Sequence, residues 1–388
     1  MIPFIQLNTP EKRELLPTLF LEMEQLFESS QFILGKQVEV FEKKLADWIG
    51  CQSVVGVNSG LDALILALKA CGIGKGDEVI TASNSYLASA SAIELTGARA
   101  VFADIGRDYN LDPEEVERRI TPRTKAILLV HLTGTPCDMA PFLELRARYG
   151  IELIEDAAQA IGATYDGKQV GNFGRFGCFS LHPLKNLHVW GDGGFITVHH
   201  KEDLEILLKL RNHGLRNRNE TEIFSLNSRL DSIQAIVGNH FLDLLESTIQ
   251  KRSTIAHYYQ AHLATLTPEI KLPHYDHKRI KPVFHVFQIR SRRRDVLAQY
   301  LFEHGIETKI HYPVPIHLQP AAIKLGYQKG DFPVTETFAE EILSIPVRES
   351  LTEMELDLII KYLSTFRSKT ENAYSVVIAS EAISSIKI

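Results

Sequence analysis

The sequence predicts an α/β protein with a largely parallel sheet, followed by a smaller α/β lobe. Short apolar strands alternate with helices between residues 53 and 199. A long helical pattern from Asp231 to Tyr259 then separates this region from a mixture of shorter strands and helices. Because strand–helix alternation covers both faces of a parallel sheet, ligands are expected at the carboxyl ends of the strands.

Composition favours a globular protein of two or three lobes. The 388 residues are 45% hydrophobic and 23% charged, which is enough for a large core. The net charge of −6 is spread along the chain, which argues against a nucleic-acid surface. There is no signal-peptide pattern and no apolar run of membrane-spanning length, so we expect no membrane partner and a cytoplasmic location. The 4 cysteines and 15 histidines lack zinc-ligand spacing, and no metal site is predicted.

The first chemical feature is a turn between a strand and a helix. Helical patterns cover residues 12–48, with a break at Ser29–Lys36, and a strand follows at Ser53–Val57. That strand ends in Asn58-Ser59-Gly60, before the apolar helix Leu61–Ala70. Because the first N–H groups of a helix are unpaired and carry the positive end of its dipole, this turn is a candidate phosphate site. The alternative is an ordinary helix cap, since Ser and Asn cap many helices.

The next strand, Glu78–Ala82, is preceded by glycines that suggest a dinucleotide loop. Gly72, Gly74 and Gly76 follow a helix and precede a strand, which is the reverse of the order that such a loop requires. We therefore predict only a helix stop and a turn. Tyr86 begins a helix after this strand, where its ring can stack on a planar cofactor or be buried in the core.

The alternation then repeats until it reaches an acidic residue at a strand end. Strands at residues 100–102, 126–131 and 151–154 alternate with helices at 113–120 and 141–149. Asp156 follows the last of these strands after Glu155 and stands next to small alanines. A carboxylate at this edge of the sheet is expected to meet a ligand, although it can instead cap the following helix.

Lys185 lies in the loop between strands Phe176–Leu181 and Phe195–His199. Pro183 and the glycines of GDGG make this connection a tight turn. A loop lysine is ordinarily solvated, but a desolvated lysine amine attacks carbonyl groups. One strand separates Lys185 from Asp156, so both are predicted to open onto the same edge. A Schiff-base lysine and an acid beside a pyridine nitrogen are the minimal protein groups for pyridoxal phosphate (PLP) chemistry.

The carboxyl-terminal part is predicted to be a smaller lobe. It contains a strand at Phe284–Ile289 and helices at Arg294–His304, Val334–Leu343 and Glu353–Tyr362. We predict a large cofactor-binding domain at residues 1–250, a small domain at 251–366 and a flexible extension at 367–388.

Seven short motifs occur in an order that is specific to one family. They are SGLDAL at 59–64, GDEVI at 76–80, EDAAQA at 155–160, SLHPLKNLHVWGDGG at 180–194, RNHG at 211–214, NSRLDSIQA at 227–235 and HYPVPIHLQP at 311–320. From about residue 3 to 366 the sequence resembles the DegT (DegT/StrS) sugar aminotransferases, PLP enzymes of fold type I. The resemblance implies a mostly parallel seven-stranded sheet between helices. It also implies amino transfer from L-glutamate to a keto sugar.

The resemblance also implies a role for individual residues. Lys185 would attach the cofactor as a Schiff base and carry the transferred proton, and Asp156 would pair with the pyridinium nitrogen. The remaining cofactor contacts would be Gln159 at the 3′ oxygen, Tyr86 on the ring, and Ser59, Ser180 and the N–H groups of Gly60 and Leu61 at the phosphate. Asn227 would reach the phosphate of the neighbouring subunit, which implies a homodimer with shared active sites.

Several positions depart from the family pattern. Leu61 stands where the family usually has Thr, so a hydroxyl contact to the phosphate is expected to be lost and only the amide to remain. Thr133 replaces an aromatic residue, so the sugar pocket is expected to differ. His182 and His188 are expected to line the pocket. The DGG sequence favours amination of a 3-keto sugar, expected to be nucleotide-linked, over the C4 reaction. Two alternatives stay open: a PLP-binding regulatory or accessory protein without turnover, and a nucleotide-binding enzyme without PLP.

Overall fold

The computed structural model describes residues 1–266 and 269–366, and a seven-stranded sheet forms its centre. The strands are β1 Ser53–Val57, β2 Glu78–Ala82, β3 Arg99–Ala103, β4 Thr124–Val130, β5 Glu152–Asp156, β6 Thr164–Tyr165, β7 Lys168–Gln169, β8 Phe176–Ser180, β9 Gly194–Val198, β10 Leu215–Asn217, β11 Glu220–Thr221, β12 Ile280–Lys281, β13 Phe287–Arg290 and β14 Ile342–Ile345. The central sheet has the order β1-β9-β8-β5-β4-β2-β3.

Only β9 runs against its neighbours in this sheet, since it pairs antiparallel with both β1 and β8. The pairs β5–β8, β4–β5, β2–β4 and β2–β3 are parallel. The carboxyl ends of β5 and β8 therefore lie side by side, and these are the strands that precede Asp156 and Lys185 in the prediction. The predicted mostly parallel α/β architecture is confirmed.

Helices cover both faces of the sheet. They are α1 Pro10–Glu14, α2 Leu16–Ser29, α3 Lys36–Ile49, α4 Gly60–Ala70, α5 Leu87–Leu95, α6 Pro113–Arg119, α7 Met139–Tyr149, α8 Lys201–Leu210, α9 Ser232–Asp243, α10 Leu245–Leu263, α11 Arg294–Glu303, α12 Pro333–Glu341 and α13, residues 353–366. Helix α4 packs on β8 and β9, whereas α3 packs on β1 and α9. Because both faces are covered, the strands are almost wholly buried, which explains their continuous apolar runs.

Two helix predictions were wrong in detail. The predicted helix Asp231–Tyr259 is interrupted at Leu244. The N–H of Leu244 donates to Phe241 O at 3.2 Å, which forms a tighter turn than that of an α-helix. This turn lets Leu245 pack in the large-lobe core, while Tyr259 on α10 packs in the carboxyl-terminal core. The predicted helix Val334–Leu343 ends at Glu341, because the following apolar residues form β14 and pair with β13.

The carboxyl-terminal residues form a core of their own and also contact the large lobe. Ile289, Leu297 and Leu343 belong to the separate core, whereas Ile316 packs in the core beneath α4. Strand β12 pairs with β6, which lies far earlier in the chain. The division at residue 250 stays a prediction, and the extension predicted at 367–388 lies outside the described residues. Within the described ranges, no helix combines the length and the apolar character needed to cross a membrane.

Candidate active site

The amino end of α4 lies against the end of β8. Ser59 caps this helix, and its Oγ accepts the N–H of Asp62 at 3.1 Å. A Cβ on Gly60 would lie 2.8 Å from the Cβ of Ser180, so this close approach requires glycine. The structure thus brings Ser59, Gly60, Leu61 and Ser180 together at a helix terminus with free N–H groups, the arrangement that binds phosphate.

Lys185 lies in the loop that follows β8, as predicted. Its backbone N–H donates to His182 O at 2.8 Å, and the N–H of Leu181 donates to Gly193 O at 2.8 Å, which closes the loop. Burial lowers the pKa of the Lys185 amine to about 8, although the nearby carboxylate of Asp156 opposes this shift. A useful fraction of the amine is therefore neutral near physiological pH, as a nucleophile requires.

Asp156 is the last residue of β5 and is buried. Its Oδ2 accepts the hydroxyl of Ser89 at 2.8 Å, and its Oδ1 accepts the N–H of Ala158 at 3.2 Å. Burial raises the pKa of this carboxyl, while the two hydrogen bonds and the charge of Lys185 act in the opposite direction. The carboxylate is thus fixed in place and has no ion-pair partner within residues 1–266 and 269–366, which suits it to a protonated ring nitrogen.

The neighbouring Glu155 performs a structural task that the sequence did not indicate. It is fully buried and accepts the N–H groups of Gly171 at 2.7 Å and Gly174 at 2.7 Å. His131 Nδ1 accepts the N–H of Cys137 at 3.1 Å, so its Nε2 carries the proton donated to Glu155 at 3.1 Å. Burial alone would raise the pKa of Glu155, but these donors hold it below its ordinary value. They also fix the end of β5.

Gln159 and Tyr86 converge on a tyrosine that the sequence analysis missed. Gln159 Oε1 accepts the N–H of Thr133 at 2.6 Å, and its Nε2 donates to the hydroxyl of Tyr312 at 3.2 Å. The ring of Tyr86, which is 58% exposed, lies 5.7 Å from the ring of Tyr312. Tyr312 belongs to HYPVPIHLQP, a motif recognised in the sequence without a role for this residue.

Among the described residues, Asn227 is the one predicted site residue whose side chain has no role in the geometry of a single subunit's site. It is exposed, and its backbone forms an isolated bridge with Asn212. The adjacent Ser228 Oγ accepts the N–H of Asn58 at 3.2 Å, which places this segment beside the turn that precedes α4. Its predicted contact with a neighbouring subunit therefore stays a prediction.

The residues present fit a PLP cofactor. The helix terminus can hold the phosphate, and the buried carboxylate of Asp156 can hold the proton on the pyridine nitrogen. The amine of Lys185 can condense with the aldehyde, and the exposed ring of Tyr86 offers a stacking face. In the described part of the chain, no group of three or more His, Cys, Asp or Glu side chains could hold a metal ion.

Comparison with known proteins leads to the same cofactor. The model of the DegT/DnrJ/EryC1/StrS aminotransferase family matches residues 17–364. The dTDP-3-amino-3,4,6-trideoxy-alpha-D-glucose transaminase of Streptomyces venezuelae is 40% identical over 373 residues, which are 96% of this chain and 98% of the relative. The crystal structure of S. venezuelae DesV with a ketimine intermediate has a TM-score of 0.91 and 41% identity, covering 94% of this chain and 98% of that one.

A second solved structure holds the cofactor itself. NtdA from Bacillus subtilis, with bound pyridoxamine phosphate, has a TM-score of 0.88 and 29% identity, covering 95% of this chain and 85% of that one. The resemblance, the fold type and the PLP cofactor expected from the sequence are thereby confirmed. The chain belongs to the DegT/DnrJ/EryC1/StrS aminotransferase family and is a PLP-dependent aminotransferase.

Proposed function

We propose that the protein transfers an amino group from L-glutamate to C3 of a nucleotide-linked keto sugar. The observation that carries the proposal is the meeting of Lys185, Asp156 and the amino end of α4 at one edge of the sheet. The 3-amino product in the name of the S. venezuelae relative supports the choice of carbon. The DGG sequence after Lys185, which resembles that of family members acting at C3, supports the same choice.

In this proposal the protein groups hold the reactants and move one proton. The cofactor, when bound, supplies an electron sink for the carbon that loses its proton. Asp156 keeps the ring nitrogen protonated, so the sink retains its positive charge. The Lys185 amine would take the proton from the donor's α-carbon and carry it to the cofactor. The phosphate would be held by Ser59, Gly60, Leu61 and Ser180.

Gln159 and Tyr312 have a positioning role in the proposal. Burial raises the pKa of Tyr312 to about 12, so its hydroxyl stays neutral and can accept from Gln159. Gln159 can therefore present its amide toward the cofactor's 3′ oxygen while it remains held by Thr133. Thr133 holds Gln159 through its backbone N–H, so this contact does not require the aromatic side chain that the family usually has at this position.

We also propose a homodimer, located in the cytoplasm, whose subunits share their active sites. The α2 surface, formed by Phe20, Phe27 and Trp190, supports a dimer because these three large apolar side chains are all exposed. Phe20 and Trp190 already contact each other, with ring centroids 6.4 Å apart. Asn227 of each subunit would then reach the phosphate bound by the other.

A two-stage experiment tests the activity. Holoenzyme is mixed with L-glutamate, and absorbance follows conversion of the cofactor to its pyridoxamine form. That form is then mixed with 3-keto or 4-keto nucleotide sugars, and the products are identified by mass spectrometry. The proposal expects an amino sugar from the 3-keto substrate. Turnover of the 4-keto substrate alone would refute the assignment of C3, and the absence of the first conversion would favour the regulatory alternative.

A further inference from the structure

A small cavity adjoins Lys185 on the side of the amino-terminal segment. Its volume is about 50 Å³, and Lys185, His188, Arg252 and His285 are among the residues that line it. A water molecule needs roughly 10–15 Å³ of such space, so the cavity can hold a few waters. The exposed residues Ile5 and Leu7 also border the cavity, which therefore extends toward the surface.

Three buried polar atoms of these lining residues have no protein partner among the described residues. They are His188 Nε2, Arg252 Nε and His285 Nδ1. His188 is only 3% exposed, so bulk solvent does not satisfy its ring. A buried polar atom without a hydrogen bond destabilises the fold, so three such atoms on residues that line one cavity point to a shared ligand there.

The chemistry of these atoms identifies that ligand as water. His188 Nδ1 lies 3.4 Å from Val189 O, which can only accept, so Nδ1 carries the proton and Nε2 is an acceptor. Arg252 Nε is a donor. A ligand that donates to His188 and accepts from Arg252 fits water better than it fits an anion, which can only accept.

The charged groups around the cavity are already bound to one another. Glu349 accepts Lys12 Nζ at 3.0 Å and Arg252 Nη2 at 3.0 Å, so one carboxylate binds both cations and one net positive charge remains among the three groups. Arg252 Nη1 is bound to the carbonyl oxygens of Phe284 and His285. Burial, followed by the charge of Lys12, lowers the pKa of His188 to about 4. The ring is therefore neutral at physiological pH and adds no positive charge for an anion.

We propose that His188, Arg252 and His285 hold ordered water against Lys185, and that this water exchanges protons between the lysine amine and solvent. The ammonium of Lys185 gives a proton to the adjacent water as that water passes one of its own protons outward. The amine is left neutral, and one proton appears in solvent. His188 acts as a positioning residue that orients the water. The proton-exchange part of the proposal rests on the aminotransferase activity proposed above.

A high-resolution crystal structure of the wild-type holoenzyme tests the water site directly. We expect ordered water within hydrogen-bond distance of both Arg252 Nε and His188 Nε2, and its loss in the His188→Phe variant. A cavity without ordered water, or one that holds a carboxylate or another anion, would overturn the proposal. The wild-type result does not depend on any substrate or on the folding of the variant.

Label transfer in a single turnover tests the exchange. Glutamate deuterated at its α-carbon is mixed with holoenzyme, and mass spectrometry measures the deuterium kept in the pyridoxamine form. We expect the wild type to lose label to solvent, His188→Phe to retain more, and His188→Asn, which keeps an acceptor, to resemble the wild type. Equal retention in wild type and His188→Phe would refute the relay. A wild type that forms no pyridoxamine would instead refute the proposed activity.

Discussion

Replacing Asp156 by Asn removes one charge from the site and leaves its shape. Asn can still accept the N–H of Ala158, as Asp156 Oδ1 does at 3.2 Å. Ser89 can turn its hydroxyl to accept from the new amide, because either oxygen of the Ser85–Ser89 pair, 2.9 Å apart, can be the donor. Burial raises the pKa of Asp156, so the neutral amide should lower the free energy of unfolding by only about 1 kcal/mol.

The effect on activity should be much larger. Removing one partner of a buried, hydrogen-bonded charge pair costs about 2–5 kcal/mol. If the carboxylate stabilises the protonated ring nitrogen during proton transfer, this cost appears in the barrier. The rate of the glutamate half-reaction should then fall by about 30- to 5,000-fold.

Stopped-flow absorbance of the bound cofactor after addition of glutamate measures this rate, and thermal unfolding checks the fold. Ser89→Ala is the matched control, because it removes one hydrogen bond to Asp156 and leaves its charge. We expect that control to lose about 1 kcal/mol, or roughly fivefold in rate. An Asp156→Asn enzyme that binds the cofactor and reacts at the wild-type rate would refute the role assigned to the carboxylate.

Three further predictions concern the lysine, the support beneath the site and the subunit contact. Because burial lowers the pKa of Lys185 to about 8 from 10.5, acetylation of this amine in the cofactor-free protein should reach half its maximal rate near pH 8; a midpoint above pH 10 would contradict the burial argument. Glu155→Gln should lower the free energy of unfolding by about 3 kcal/mol in denaturant titrations, since the amide cannot accept from all the buried donors; wild-type stability would show that these bonds are dispensable. Phe27→Asp should separate the subunits in sedimentation experiments, because it places a charge in the α2 surface. Phe302→Asp is the control, since this phenylalanine of α11 is 55% exposed, and the subunits should stay associated. If both variants sediment with the same molecular mass, a contact through the α2 surface is contradicted.

The sequence predicts the site best where local pattern determines geometry. Asp156 ends one apolar strand and Lys185 follows the next long one in a sheet predicted to be largely parallel, so their common edge could be inferred. The turn at Ser59 and Gly60 was identifiable for the same reason, because strand, small polar residues and helix are adjacent in the chain.

Contacts between residues far apart in the chain left no comparable pattern in the sequence. Ser89 lies in the alanine-rich helix α5, and only the tertiary packing of that helix brings its hydroxyl to Asp156. Tyr312 reaches Gln159 from 153 residues away. The hydrogen bond between Glu155 and His131 likewise joins β5 to the residue that follows β4, and neither side chain carries a signal in the sequence.

The misplaced element boundaries have a related cause. No Gly or Pro marks the interruption at Leu244, because the turn there is set by two cores that lie on different sides of the helix pair. The apolar residues of β14 continue the helical period of α12, and only pairing with β13 shows them to be a strand.

If Lys185 holds the cofactor of a working aminotransferase, reduction of the Schiff base should trap the cofactor on this residue. Borohydride reduction of the purified holoenzyme, followed by peptide mass spectrometry, should place the mass of the reduced cofactor on Lys185. Prior incubation with L-glutamate should remove that label, because the cofactor then leaves the lysine in its pyridoxamine form. A label on another lysine, or one on Lys185 that glutamate does not diminish, would contradict the account.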